Sequence, residues 1–252
     1  MSVSPVPPLD DCDYPIPTQP DAMGILAHSR LLGDVGPRDL KRLLQRSTLS
    51  YVDRGDVLWK EGSPSRFFVV VGEGLVRMTR RSPQMREVTV EILGPGDCAG
   101  ILASLNHTGY LLSAIAITNT WYLKVPNDVL VSNGDPNARL KTRLVEELAP
   151  RLLHAFDFAA SMLSGSVEQR LALTLIRLCA LAPPRMGESH PTLPITRQNL
   201  ADIACTTVES TIRATSKWQK EGWIVSGHRS IKVLDREALR QIGQGDPGLV
   251  KA

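Results

Sequence analysis

The chain has 252 residues, 42% of them hydrophobic, enough for the packed cores of two ordinary domains. No run of 18 apolar residues occurs, which excludes a transmembrane helix. No basic stretch leading into an apolar one opens the chain, so it is expected to lack a leader and to act in the cytoplasm, away from membranes. The net charge of +3 is uneven: from Ser166 onward there are 12 Lys and Arg against 8 Asp and Glu, while the preceding residues hold 17 against 18. The basic excess therefore sits in the C-terminal third, a mild pointer to a polyanionic partner.

In chain order, residues 1–20 carry six prolines and no apolar periodicity, and predict a disordered or extended arm. Helical spacing follows over Asp21–Leu32 and again over Pro37–Gln45, where Pro37 suits a first turn. Between Ser50 and Val125 the period shortens. Asp56–Trp59, Phe67–Val71, Leu75–Met78 and Val88–Ile92 are short, apolar and rich in β-branched residues. Glu61-Gly62, Gly72–Gly74 and Gly94–Asp97 separate them as turns. Short strands at such spacing predict a small β-sandwich or barrel, ending near residue 135.

Helical character returns over 136–164. Leu140, Leu144, Leu148, Leu152, Phe156 and Leu163 recur at spacings of four, four, four, four and seven. Such a stripe faces either a core or a partner helix, and a kink or break is expected at Pro150. Ser166–Gln169 has the form of a capping box opening a helix that runs to about Leu181. Then come a helix over Arg197–Ala204, a tight turn at Cys205-Thr206, and a second helix from Thr207 to Lys220. A hairpin of Trp223–Ser226 and Ser230–Leu234 turns at His228 and Arg229. Helix, turn, helix and hairpin outline a winged helix-turn-helix over 165–245, with 246–252 left as a tail.

Glu209, Ile212 and Arg213 share one helical face near the start of the second helix. A Glu accepts from cytosine N4, and an Arg pairs with guanine O6 and N7. Thr206 or Thr207 is placed to cap the helix. Equally, Thr206 and Glu209 have capping-box spacing, which would tie Glu209 to the backbone instead.

Pro194–Ala204, Thr207–Arg213 and Gln219–Gly222 resemble the helix-turn-helix of the cyclic-AMP receptor protein / fumarate–nitrate regulator (CRP/FNR) family. Upstream, Arg54–Gly62, Phe67–Gly74 and Gly94–Asp97 resemble its cyclic-nucleotide-binding-like β-roll. The resemblance implies an α+β architecture: a β-roll sensor, a long dimerisation helix and a winged helix-turn-helix. The function it implies is transcription regulation by a homodimer on palindromic double-stranded DNA, with RNA polymerase as a further partner. The leucine stripe would then be the dimer seam. Glu209 and Arg213 match the family's base-reading pair, and Val208 matches the FNR-type branch. Ile212 stands where that branch commonly has Ser, and suits a thymine methyl. The implied half-site has a TGA/TCA core, with Arg197, Thr206, Thr207, Lys217, His228 and Arg229 completing the DNA contacts.

Cyclic-nucleotide binders of this fold carry a ribose-holding Glu and a phosphate-pairing Arg. Here the matching stretches read Gly100-Ile101-Leu102 and Leu112-Ser113, so a phosphate would meet an apolar wall. No cyclic nucleotide is expected as effector. A pocket around these residues either takes a hydrophobic effector or is filled by its own side chains. The four cysteines (Cys12, Cys98, Cys179 and Cys205) show no close pair, so neither a metal nor another cofactor is expected. The chain carries no G-x-S-x-G, H-E-x-x-H or P-loop, and an enzyme is not expected. The competing function is an effector-binding module that works through protein–protein contacts.

Overall fold

A computed structural model describes residues 18–82, 87–131, 137–182 and 188–244. The side chains at 130–141, 154, 158, 159 and 161–164 lie outside the described ones, as do residues 1–17 of the Pro-rich arm, Cys12 among them. The chain forms two compact units, one of residues 16–160 and one that holds 161–252.

The first unit opens with helices α1 (Ala22–His28) and α2 (Pro37–Arg46). The sequence predicts one helix as far as Leu32. Instead α1 ends at Ser29, whose hydroxyl accepts from the Leu32 N–H at 3.2 Å. That side-chain bond competes with helix continuation. The turn it closes leaves Leu31 and Leu32 buried.

Among the described residues eight strands follow: β1 (Thr48–Val52), β2 (Val57–Trp59), β3 (Phe67–Glu73), β4 (Val76–Arg81), β5 (Glu87–Leu93), β6 (Cys98–Ala99), β7 (Ser113–Ala116) and β8 (Thr120–Pro126). Short helices α3 (Ile101–Leu105) and α4 (Asp128–Val131) interrupt and end the series. The strands make two antiparallel four-stranded sheets, ordered β1-β8-β3-β6 and β2-β7-β4-β5.

The unbroken apolar run of β3 has a simple cause: it is buried on both faces. Phe68 and Val70 point to a core shared with Ile25, Leu26 and Leu40 of the N-terminal helices. Val69 and Val71 point between the sheets, toward Trp59, Met78 and Ala114. At the β3–β4 turn Gly74 has φ +93°, and a Cβ there would lie 2.5 Å from the Asn119 carbonyl. Only glycine meets both demands cheaply.

Helix α5 (Asn137–Ser164) continues unbroken through Pro150. Of the kink or break expected there, the break does not occur. Pro150 is solvent-exposed, where a missing N–H is tolerated more easily than in a core.

The second unit holds α6 (Val167–Leu181), β9 (Thr192–Leu193), α7 (Arg197–Ile203), α8 (Val208–Lys220), β10 (Ile224–Ser226), β11 (Ile231–Val233) and α9 (Arg236–Gln244). Its sheet runs β10-β11-β9 and is antiparallel. Ser166 and Gln169 form the expected capping box: the Gln169 N–H donates to Ser166 Oγ at 3.2 Å, and the Ser166 N–H to Gln169 Oε1 at 2.6 Å. Leu171, Leu175, Leu178, Leu200, Trp218, Ile224, Val233 and Leu239 are fully buried, giving the unit an apolar centre drawn from every helix.

Candidate nucleic-acid interface and sensor cavity

The α7–α8 turn is set by Cys205 at φ +49° and by a bond from the Thr206 N–H to the Ala201 carbonyl at 3.0 Å. Thr207 then caps α8, its hydroxyl accepting from the Ser210 N–H at 3.2 Å. This corrects the capping-box alternative. Glu209 lies one residue short of the position that would reach back to a Thr207 cap, so its carboxylate is not tied up as a box partner.

The faces of α8 divide sharply. Thr211, Ala214, Thr215 and Trp218 are buried, while Glu209, Ile212, Arg213 and Ser216 are exposed. Those four recur at i, i+3, i+4 and i+7, so a single outward face carries a carboxylate, an apolar side chain and a guanidinium. Ile212, 44% exposed, is among the few large apolar side chains left in water. Among the described residues Arg213 makes a long contact, 3.3 Å, to the Ser210 hydroxyl on its own helix.

Around this face, Thr207, His228 and Arg229 are exposed, the last two at a wing turn closed by a Gly227 N–H bond to the Ser230 carbonyl at 2.8 Å. Thr206 and Val208 are half-buried. Arg197 opens α7, and its Nε is buried with no hydrogen-bond partner among the described residues. Lys217 is partly engaged, 3.4 Å from Glu168 of α6.

In the first unit, a cavity of about 610 Å³ lies between the β-roll and the middle of α5. Gly100, Ile101, Leu102 and Leu112 line it; Ser113 does not. The Ser113 hydroxyl accepts from the Glu61 N–H at 2.9 Å, which turns it to the β2 side. Trp59 and Tyr110 stack at 4.3 Å and contribute to the wall. The fourfold spacing of the leucine stripe steps about 40° around a helix at each repeat. It therefore does not stay on one face. Leu144 packs into the helix-side core and Leu148 borders the cavity, while Leu152 and Phe156 are 56% and 61% exposed. The side chains of Leu140 and Leu163 lie outside the described ones.

Sequence reading missed Arg151. Both Glu91 oxygens accept from it, at 2.7 and 2.6 Å, and its Nη1 donates to the Cys98 carbonyl at 2.7 Å. This fork ties α5 to β5 and β6. Nothing in the spacing of a single Arg signals such a partner. Burial pushes the Cys98 thiol up to about 12 and Cys179 to about 11, so neither is a ready thiolate.

The two units match two families in chain order. The cyclic nucleotide-binding domain family matches residues 49–132, and the Crp-like helix-turn-helix domain family matches residues 169–242. The chain belongs to the CRP/FNR family of transcription regulators. CRP/FNR relatives extend across most of the chain. The CRP-like cAMP-activated global transcriptional regulator of Mycobacterium tuberculosis is 26% identical over 216 residues, covering 85% of this chain and 96% of that protein. The nitrogen fixation regulation protein FixK of Bradyrhizobium diazoefficiens is 27% identical, covering 72% and 76%. The CRP/FNR fold is shared with the solved structure of FixK2 from Bradyrhizobium japonicum, at a TM-score of 0.68 and 23% identity over 78% of this chain and 96% of that one.

Proposed function

We propose that the protein is a homodimeric, cytoplasmic regulator that reads a palindromic DNA site with TGA/TCA half-sites and responds to no cyclic nucleotide. The observation that carries the DNA reading is the outward face of α8, where Glu209, Ile212 and Arg213 stand exposed and free of capping duty. Arg213 pairs a guanine, Glu209 accepts from a cytosine, and Ile212 meets a thymine methyl. Arg197, Thr206, Thr207, Lys217, His228 and Arg229 hold the phosphates; Val208, half-buried, packs beside the base-reading face.

The dimer reading rests on α5. Val145, Ala149, Leu152 and Phe156 are exposed at spacings of four, three and four, the rhythm of a coiled-coil seam. A two-fold pair of such helices sets two recognition helices on half-sites one DNA turn apart. The exclusion of cyclic nucleotides rests on Ile101 and Leu112 in the cavity wall, where the family's nucleotide binders place a Glu and an Arg. RNA polymerase is the expected protein partner of the bound dimer.

Filter binding of bulk duplex DNA across a salt series separates this reading from a module that works through protein contacts alone. The logarithm of affinity is expected to fall linearly with the logarithm of salt. Salt-independent or undetectable binding would contradict it.

A further inference from the structure

The sensor cavity has an unusual balance of chemistry. Its polar wall side chains are already spoken for. Trp59 Nε1 donates to the Leu112 carbonyl at 2.9 Å, and the Tyr110 hydroxyl to the Phe67 carbonyl at 2.7 Å. Arg151 and Glu91 satisfy one another in two bonds, with the third Arg151 donor on the Cys98 carbonyl. Arg80 lies 3.6 Å from Glu61 and is 68% exposed, which places it at the rim. A polar ligand would have to break one of these pairs or leave its own groups unpaired wherever binding covers them from water, and either is costly.

The apolar wall is the opposite: it is unfinished. Leu102, Leu111, Val145 and Leu152 are 45–67% exposed, and all four border this one cavity. Exposed apolar side chains scattered singly over a surface need no explanation, but four converging on one concave site mark a place where burial remains to be gained. The stacked Trp59–Tyr110 pair adds a flat aromatic wall.

We infer that this cavity binds an uncharged, apolar small molecule, aromatic or branched aliphatic. The inference rests on the reading that the sensor does not take cyclic nucleotides, and adds the chemical class of what it takes instead. Val145 and Leu152 belong both to the cavity wall and to the seam rhythm of α5. A ligand seated against them touches the helix through which the two copies pair, so occupancy is transmitted to the dimer.

The test is a titration of the full chain with N-phenyl-1-naphthylamine, an uncharged apolar dye whose emission rises on leaving water. One saturable site per chain is expected, with no displacement by cyclic AMP. Leu102→Glu, at an exposed wall position where folding is not at stake, should weaken the dye by about tenfold or more, and Leu112→Glu likewise. Leu153→Ser, outside the wall, should leave it within about twofold. Absence of saturable dye binding to a cooperatively melting wild type, or undiminished binding by a folded Leu102→Glu variant, would overturn the inference while leaving the exclusion of cyclic nucleotides standing. Displacement of the dye by micromolar cyclic AMP would overturn both.

Discussion

At the scale of the residue, Arg213 carries the sharpest expectation. It is exposed, lies 3.3 Å from the Ser210 hydroxyl, and sits in the N-terminal half of α8. Arg213→Ala should cost about 1–3 kcal/mol of discrimination, or about 5- to 150-fold against a single-base mismatch in a competition assay, with an unchanged melting temperature. Asp97 sets a pH dependence of opposite sign to the usual paired carboxylate. Burial raises its pKa above the ordinary 3.8, outweighing the Gly94 N–H bond and the Arg30 and Arg151 charges. The folded state then holds the proton more tightly than the unfolded chain. Its contribution to stability is therefore greatest at low pH and declines as pH rises from about 4 through the raised value. Asp97→Asn should remove that decline, so the stability difference between variant and wild type grows in the variant's favour across this window in pH-resolved urea melts. Cys205 sits in the left-handed region at the turn before the recognition helix. Cys205→Val, β-branched at that φ, should cost about 1 kcal/mol or more in denaturant unfolding.

Among the elements, the winged helix was the part most open to sequence reading, because its signals are local. Thr207 before an amphipathic run, a glycine ending it, and a short hairpin each act over a few residues, and α8 and the Ser166 capping box appear where those signals put them. Long-range causes were not legible. The end of α1 depends on the Ser29 side chain turning back on Leu32, and Leu144 faces a core because fourfold spacing rotates around α5. The Arg151 fork joins residues sixty apart, a pairing that only the fold creates. It has its own signature. Arg151→Met should destabilise the sensor unit by about 2 kcal/mol or more, since Glu91 is left largely buried without its cation. Adding Glu91→Met should restore much of that loss in thermal melts, whereas a fork of no consequence would show neither effect.

For the whole molecule, the proposed regulator combines a cavity for an apolar ligand, an α5 helix that pairs two copies, and a winged helix that meets DNA through the outward face of α8. Phe156→Glu would place a charge on the seam, and should shift sedimentation from dimer to monomer and weaken operator binding in step. The central claim is that α8 reads a TGA/TCA palindrome. A randomised-oligonucleotide selection on the purified protein, run in parallel with Arg213→Ala, tests it most directly. Inverted TGA/TCA half-sites with centres about one DNA turn apart are expected for the wild type, and their loss in the variant. Enrichment of a site without that core, or of the same palindrome by both proteins, would contradict it.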